Sequence, residues 1–262
     1  RYKQGRDEWL KVLGLYASLE NERYTQKDPD FFLYYGTVYH EEFLDLKEAE
    51  RIYLKGLELN KKNPAILINL VKLYLLMKTG AVESEIPGDL ARNEAHIKAW
   101  RYFHLAESTL RQLLEAAGPN VLLLNALGEL YLTVDRLDEA RKAFQKAVEQ
   151  DPVNGTSLAG LGIVNFRSDN AKEALRCFKE ALVQDPDNLS WQNNHAEALL
   201  RADRLFEAEK EYQSIQSVSS GHVESLVGLA EIHKRFGDSA LERGLKGDAE
   251  EMFNQANYYY DR

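Results

Sequence analysis

The chain has 262 residues, 44% of them hydrophobic, and only 16 glycines and 6 prolines. It can therefore bury a large core and carries no low-complexity linker. Its 33 basic and 42 acidic side chains leave a net charge of −9, which argues against a nucleic-acid backbone as the main ligand, because that ligand calls for a basic face. The single cysteine, Cys177, excludes an internal disulfide and is compatible with a reducing compartment, and its place beside Phe178 predicts a packed thiol.

In chain order the apolar pattern is helical throughout, and no strand alternation bounded by turn signals stands out. Residues 7–24 read as a leading helix, with Trp9, Leu13, Tyr16, Ala17 and Leu19 on its apolar side. Residues 29–63 read as a hairpin, with Phe32, Tyr35, Gly36 and Tyr39 on one helix and Ala49, Tyr53 and Gly56 on the next, and one extra residue in the turn. Residues 64–120 form a second hairpin. Its first helix spans 64–77, with Leu67, Leu70, Val71 and Tyr74 in phase, and an insert covers 79–101. The polar stretch 79–89, with Pro87 and Gly88, reads as a loop. From about residue 90 to 117 the pattern predicts a long second helix. Trp100 and Leu105 lie off its main stripe, as candidate contacts for another domain or subunit, unless the helix folds back on its own array.

The most informative segment is 121–188, one pattern written twice. Leu124, Leu127, Gly128, Ala140, Phe144, Ala147 and Pro152 recur 34 residues later as Leu158, Leu161, Gly162, Ala174, Phe178, Ala181 and Pro186. Within one unit Leu124, Leu127, Gly128 and Tyr131 share a helix face, and Ala140, Phe144 and Ala147 share another. The stretch 135–138 is a polar turn between them. Small residues at Gly128 and Ala140 allow close approach of two helix backbones, with Phe144 beside them. Residues 189–222 continue the register through Ala196, Leu199, Ala208, Tyr212 and Ile215. Residues 223–262 continue it through Leu226, Leu229, Ala230, Ala249, Phe253 and Ala256. This last unit is seven residues longer, about two helical turns, which predicts a first helix extended past Phe236 and a turn at Gly244 and Gly247.

These residues resemble the tetratricopeptide repeat. The match to Leu-Gly-x-x-Tyr, Ala-x-x-x-Phe and Pro is full in 121–154 and nearly so in 155–188, where Asn165 replaces the tyrosine. The resemblance implies an all-α, right-handed superhelical solenoid of about five hairpins plus a leading helix, whose first helices line a concave, protein-binding groove. It also implies that the second, fifth, ninth, twelfth and thirteenth residues of each unit face that groove. The expected groove residues are Asn125, Glu129, Ile163, Phe166, Arg167, Asn193, Glu197 and Arg201, with Leu122 at the second position of its unit. Ile163 and Phe166 would anchor an extended or helical peptide that carries apolar and some basic residues. The plainer alternative makes Glu197–Arg201 and Glu231–Arg235 self-satisfying pairs one helical turn apart. A two-carboxylate clamp of the chaperone-binding kind is missing, since Asn125, Glu129, Ser190 and Asn194 occupy its slots. A sixth-position asparagine ladder is broken by Ala126, Gly160 and Gly228, although Asn69 and Asn194 keep it.

Residues 51–78 hold six basic side chains (Arg51, Lys55, Lys61, Lys62, Lys72, Lys78) against Glu58 alone. They read either as a site for an acidic peptide or as a solvated corner. His96 and His104 lie eight apart with no further ligand at metal spacing, so no metal, cofactor or catalytic residue is assigned. No phosphate loop or nucleophile motif is visible either. No apolar run approaches the roughly 18 residues that a membrane span needs. The expected setting is cytoplasmic, with a periplasmic one left open because a chain starting at Arg1 would no longer show a cleaved leader. A solenoid normally closes with a polar cap, whereas this sequence ends on three tyrosines, Tyr258 to Tyr260, behind the inward-facing Met252, Phe253 and Ala256. A neighbouring domain or subunit is expected there, as in a fragment of a larger protein. The function expected is a non-enzymatic scaffold or sensor that holds a partner protein or peptide. The alternatives are a regulatory or substrate-docking arm of a larger enzyme or assembly, and a periplasmic or envelope assembly factor.

Overall fold

The structure, a computed structural model, describes residues 2–20, 22, 25–80 and 88–261. Every long element among them is a helix, and the chain divides into two compact units between Arg136 and Leu137. The first unit holds α1 (Tyr2–Leu19), α2 (Pro29–Thr37), α3 (Leu46–Leu59), α4 (Pro64–Gly80), α5 (Gly88–Ala117) and α6 (Val121–Thr133). The second holds α7 (Leu137–Gln150), α8 (Gly155–Arg167), α9 (Ala171–Gln184), α10 (Leu189–Arg201), α11 (Leu205–Val218), α12 (Val223–Glu242) and α13 (Lys246–Tyr260). Five hairpins pack within these units: α2 on α3, α4 on α5, α8 on α9, α10 on α11 and α12 on α13. The fold is all-α, and each helix leans mainly on its neighbours in the chain.

Local chemistry starts and stops these helices at a fixed interval. Asn120, Asn154 and Asn188 precede α6, α8 and α10, and each side chain accepts a hydrogen bond from a backbone N–H of the first turn, for example Ser157 N at 3.0 Å and Trp191 N at 3.2 Å. His222 takes the same place before α12, with Nδ1 accepting from Ser225 N at 3.2 Å. Each cap satisfies a donor that the helix cannot use and is worth about 1 kcal/mol. At the other end of three of these helices, Asp135, Asp169 and Asp203 take φ of 58°, 57° and 58°. Aspartate enters this left-handed region more readily than most residues, and at Asp169 and Asp203 the chain reverses into the next helix within a few residues.

The α2–α3 turn does the same with a less suitable residue, Leu44 at φ 53°. Here α2 runs straight into a π turn, Val38–Glu42, whose wider winding takes up extra chain before the turn. The polar stretch read as a loop at 79–89 is helical at both ends, since α4 continues to Gly80 and α5 begins at Gly88. Its middle, 81–87, lies outside the described residues. On α5, Ala95, Ala99, Phe103, Ala106 and Leu110 form one buried stripe laid along α4. Among the described side chains of α1, Leu13 is buried and Tyr16 is half-buried, stacked on Tyr35 at 5.2 Å. Trp9 and Leu19, read as part of the apolar side, stay exposed, because α2 offers a contact only one aromatic cluster wide.

The core repeats one contact. An aromatic ring from a second helix lies on a glycine of a first helix: Tyr53 on Gly36, Phe178 on Gly162 and Phe253 on Gly237 within hairpins, and Phe144 on Gly160 and Tyr212 on Gly228 between successive ones. A Cβ added at Gly162 would sit 2.5 Å from Phe178 Cε1, and one at Gly237 would sit 2.6 Å from Phe253 Cε1. The extension of α12 is held in this way, since Gly237 lies past Phe236. Gly162→Ala should therefore destabilise the second unit by about 1–3 kcal/mol, as overpacking does, with a lowered denaturation midpoint in urea. Leu44→Asn should act in the opposite direction, because it relieves a left-handed leucine that buries little, and should raise stability by about 1 kcal/mol in the same assay.

Candidate functional site

The first helices of the second unit, α8, α10 and α12, pack in series. Ile163 and Phe166 on α8 lie against a cluster of Ala174, Phe178 and Ala198, and α10 and α12 share Ala196, Leu199, Leu200, Leu229 and Ile232. Ile163 and Phe166 are thus half-buried between hairpins. Phe166 is also covered on one face, since the Arg201 guanidinium stands 4.0 Å above its ring. Arg201 Nη1 donates to the Phe166 carbonyl at 3.0 Å and to Asp169 Oδ1 at 3.2 Å. One unit later, Arg235 Nη1 donates to the Leu200 carbonyl at 3.2 Å and stands 3.8 Å from Asp203 Oδ1. Each arginine therefore ties the end of one first helix, and its left-handed aspartate, to the following first helix.

This bond separates the two pairs that the sequence had treated alike. Arg235 Nε donates to Glu231 at 2.9 Å, one helical turn away as the plainer reading expects. Arg201 forms no such bond with Glu197, and Glu197 is exposed with no ion pair among the described residues. Asn193, one turn before Glu197, is half-buried, and its Oδ1 is shielded without a hydrogen-bond partner. Arg167 is exposed at the end of α8. Beneath this face Tyr212 lies on Gly228, and burial pushes its phenol well above the usual range, with the Glu197 and Glu211 charges adding to the effect. Burial also raises the Cys177 thiol, although Arg176 works against it. Cys177 is a packed residue of α9, not a reactive one.

In the first unit, Asn125 is buried, and Glu129 stands at the surface paired with Lys72. Between α4 and α6 opens a cleft of about 260 Å³ lined by Ile68, Leu110, Leu122, Leu123 and Ala126 together with the polar Asn63, Asn69 and Glu129. Leu122 is 77% exposed there. Reading by repeat position had singled out Leu122 and Glu129. It had missed Ile68 and Leu110, which belong to a hairpin whose inserted length hides its register.

Three basic residues of the run at 51–78, Arg51, Lys55 and Lys72, pair with acids from outside it. Arg51 and Lys55 reach Glu20, directly after the end of α1, at 3.0 and 2.6 Å, and Arg51 also bonds Glu48 at 2.6 Å. Burial works to raise Glu20, but the bonds from Arg51 and Lys55 outweigh it and hold the carboxyl below its usual range. Arg51 and Lys55 therefore tie the end of α1 to α3. His96 and His104 flank Trp100 on α5: Trp100 Nε1 donates to His96 Nε2 at 3.0 Å, and His104 stacks on the indole at 5.6 Å. Trp100 and Leu105 remain 38% and 36% exposed, with Trp100 also edge-on to the buried Phe103. At the far end of α13, Tyr259 stacks on His233 at 5.4 Å, while Tyr258 and Tyr260 are exposed. No described helix is long and apolar enough to cross a membrane.

Comparison with known proteins finds two matches to tetratricopeptide-repeat models, at residues 121–152 and 159–221. No curated protein sequence matches. Among solved structures, the chain is similar to one from an APC/C hetero-tetramer, Cut9–Hcn1, with TM-score 0.59, 15% identity, 96% of this chain covered and 43% of that one. It is similar to TTC0263, a thermophilic repeat protein of Thermus thermophilus, with TM-score 0.56, 18% identity, and 78% and 98% covered. It is also similar to a repeat protein from Parabacteroides merdae, with TM-score 0.53, 16% identity, and 97% and 88% covered. At these identities the likeness is one of fold.

The position of Phe166 generates a stability prediction. Full removal of a core phenylalanine costs about 3–5 kcal/mol. Phe166 is only half-buried, so Phe166→Ala should cost about 2 kcal/mol, read as an earlier urea midpoint for the second unit. A midpoint equal to that of the parent would show that the ring does not pack between the hairpins.

Proposed function

We propose that this chain, which carries tetratricopeptide repeats at 121–152 and 159–221, is a binding module, not an enzyme, and that it holds a segment of a partner protein on the exposed faces of its first helices. The observation that carries this reading is the α4–α6 cleft. Its volume of about 260 Å³ falls below the range of roughly 300–1,000 Å³ typical of small-molecule sites, and it suits one bulky aliphatic side chain. Its lining is mostly apolar, with two amides (Asn63, Asn69) and a carboxylate (Glu129) beside the aliphatic side chains. That is the arrangement of a hydrophobic anchor point with polar groups beside it. The net charge of −9 favours a neutral or basic segment over an acidic one. The same faces would serve a free-standing scaffold, the docking arm of a larger enzyme or assembly, or an envelope assembly factor. Those readings differ in what the partner is, not in how it is held.

Selection of a displayed random-peptide library on the full chain tests the proposal. Enriched peptides should share one large aliphatic residue. Leu122→Asp, at an exposed position, should weaken the best of them by more than about 1 kcal/mol, the threshold of a significant interface contact, with an unchanged melting temperature. If no peptide is enriched, the reading fails.

A further inference from the structure

The chain contains one Asn-Gly pair, Asn154–Gly155, and it stands at the start of α8. Asn120, Asn154 and Asn188 all cap first helices, but the residues after the other two are Val121 and Leu189, which carry bulky side chains where glycine carries none. The difference bears on the chemistry of the cap itself. The backbone nitrogen that follows an asparagine can attack the side-chain carbonyl carbon. A bulky side chain on the residue that supplies this nitrogen hinders the approach, and glycine removes the obstacle.

The fold leaves little freedom to replace that glycine. A Cβ at position 155 would lie 2.6 Å from Trp191 Cη2 and 2.7 Å from Trp191 Cζ3. Trp191, from α10, packs there with Leu158, Ala159 and Ala181. The cap asks for a short polar side chain at 154, and the Trp191 ring asks for glycine at 155, so the two demands together create a reactive pair. In the folded chain the pair is restrained. Asn154 Oδ1 accepts from Ser157 N at 3.0 Å and from Ser157 Oγ at 2.9 Å, and Nδ2 donates to Asp151 Oδ2 at 3.4 Å. Attack requires the side-chain amide to leave Ser157 and swing onto the Gly155 nitrogen, so the first turn of α8 must open first.

We propose that Asn154 is a site of spontaneous deamidation, gated by the opening of that turn. Gly155 N gives up its proton to solvent and bonds to Asn154 Cγ. The Cγ–Nδ2 bond breaks, and Nδ2 takes up a proton and leaves as ammonia. Solvent water then hydrolyses the cyclic imide. Cleavage of the new N–Cγ bond gives aspartate, and cleavage of the original peptide bond gives isoaspartate, whose main chain runs through the former side chain. The first product puts a carboxylate where the amide donated to Asp151. The second adds a methylene to the backbone and removes the capping group. Both loosen the joint between α7 and α8, and isoaspartate does so more. The modification is independent of what the chain binds.

The test incubates the full chain at mildly alkaline pH in heavy-oxygen water, folded in buffer and unfolded in guanidinium chloride, with peptide mapping by mass spectrometry. Unfolded, Asn154 should take up heavy oxygen at least about 10-fold faster than Asn188. Folded, the rate at Asn154 should fall by at least about 10-fold, because only opened molecules react. Ser157→Ala removes one of the bonds to Oδ1, and should speed the folded reaction several-fold while leaving the unfolded rate unchanged. The aged chain should have a lower urea midpoint. Asn154→Ser, which keeps a cap and lacks the amide, should show no such change on ageing. Equal unfolded rates at Asn154 and Asn188 overturn the reactive pair. An Asn154 rate that is the same folded and unfolded overturns the gating. An aged chain that has deamidated at Asn154 with an unchanged urea midpoint overturns the effect on the joint.

Discussion

The packing depends on an aromatic ring laid against a glycine. A first helix with a side chain at Gly160, Gly162 or Gly228 could not accept Phe144, Phe178 or Tyr212 at the distances found. Glycine in the middle of a helix costs roughly 0.5–1 kcal/mol relative to alanine, and the ring that it admits returns more than that through buried apolar area. The contact is directional as well as stabilising. Phe178 on Gly162 closes a hairpin, and Phe144 on Gly160 joins one hairpin to the next. Two glycines on one helix, two residues apart, thus receive rings from both sides. The first helix becomes the thin element of the array and keeps its remaining face for other work.

That remaining face is ordered by a second device. Arg201 and Arg235 each reach back 35 residues to a carbonyl at the end of the preceding first helix. The carbonyls of a last helical turn have no partner within the helix, and an arginine supplied by the next unit satisfies one of them. The left-handed aspartate that makes the turn also contributes its charge to the same guanidinium. One residue type at one repeat position therefore serves the turn, and another serves the joint between units. These surface ion pairs add little energy singly. Their effect lies in position, since a guanidinium stacked on Phe166 and bonded at one nitrogen has few orientations left.

The repeat was legible because the residues that a shift of 34 aligns are the ones that make the core contact. Gly162 with Phe178, together with Ala174 and Ala181, appear in the sequence as a pattern and in the structure as a packed hairpin. Other signals stood at the same interval and went unread: Asn120, Asn154 and Asn188 as caps, and Asp169 and Asp203 as the counterparts of Asp135, whose own stretch reads as a polar turn. The direction taken by Arg201 was not legible. Local spacing pairs it with Glu197, and only a bond across hairpins shows that the helix-end carbonyl competes successfully. The cleft beside α4 was hidden for another reason. The long α5 displaces the register of its hairpin, so Leu110 reads as part of a second helix without showing that it also floors a pocket. Phe166 illustrates the limit most clearly. Its repeat position gives its side of the helix, but burial depends on whether Arg201 lies over it, and that is settled 35 residues away.

The contrast between α10 and α12 shows how little sequence separates an internal joint from an open one. Both helices carry glutamate and arginine one turn apart, and both arginines reach back to the preceding helix. In α12 the guanidinium satisfies Glu231 as well, so its donors are largely spent within the fold. In α10 the ring of Phe166 draws the guanidinium across the joint, whereas the position that precedes Arg235 by 35 residues is Leu200, which has no π face to offer. An aromatic on one helix thus leaves a carboxylate on the next without its natural partner. Exposed and solvated, that carboxylate costs the fold little.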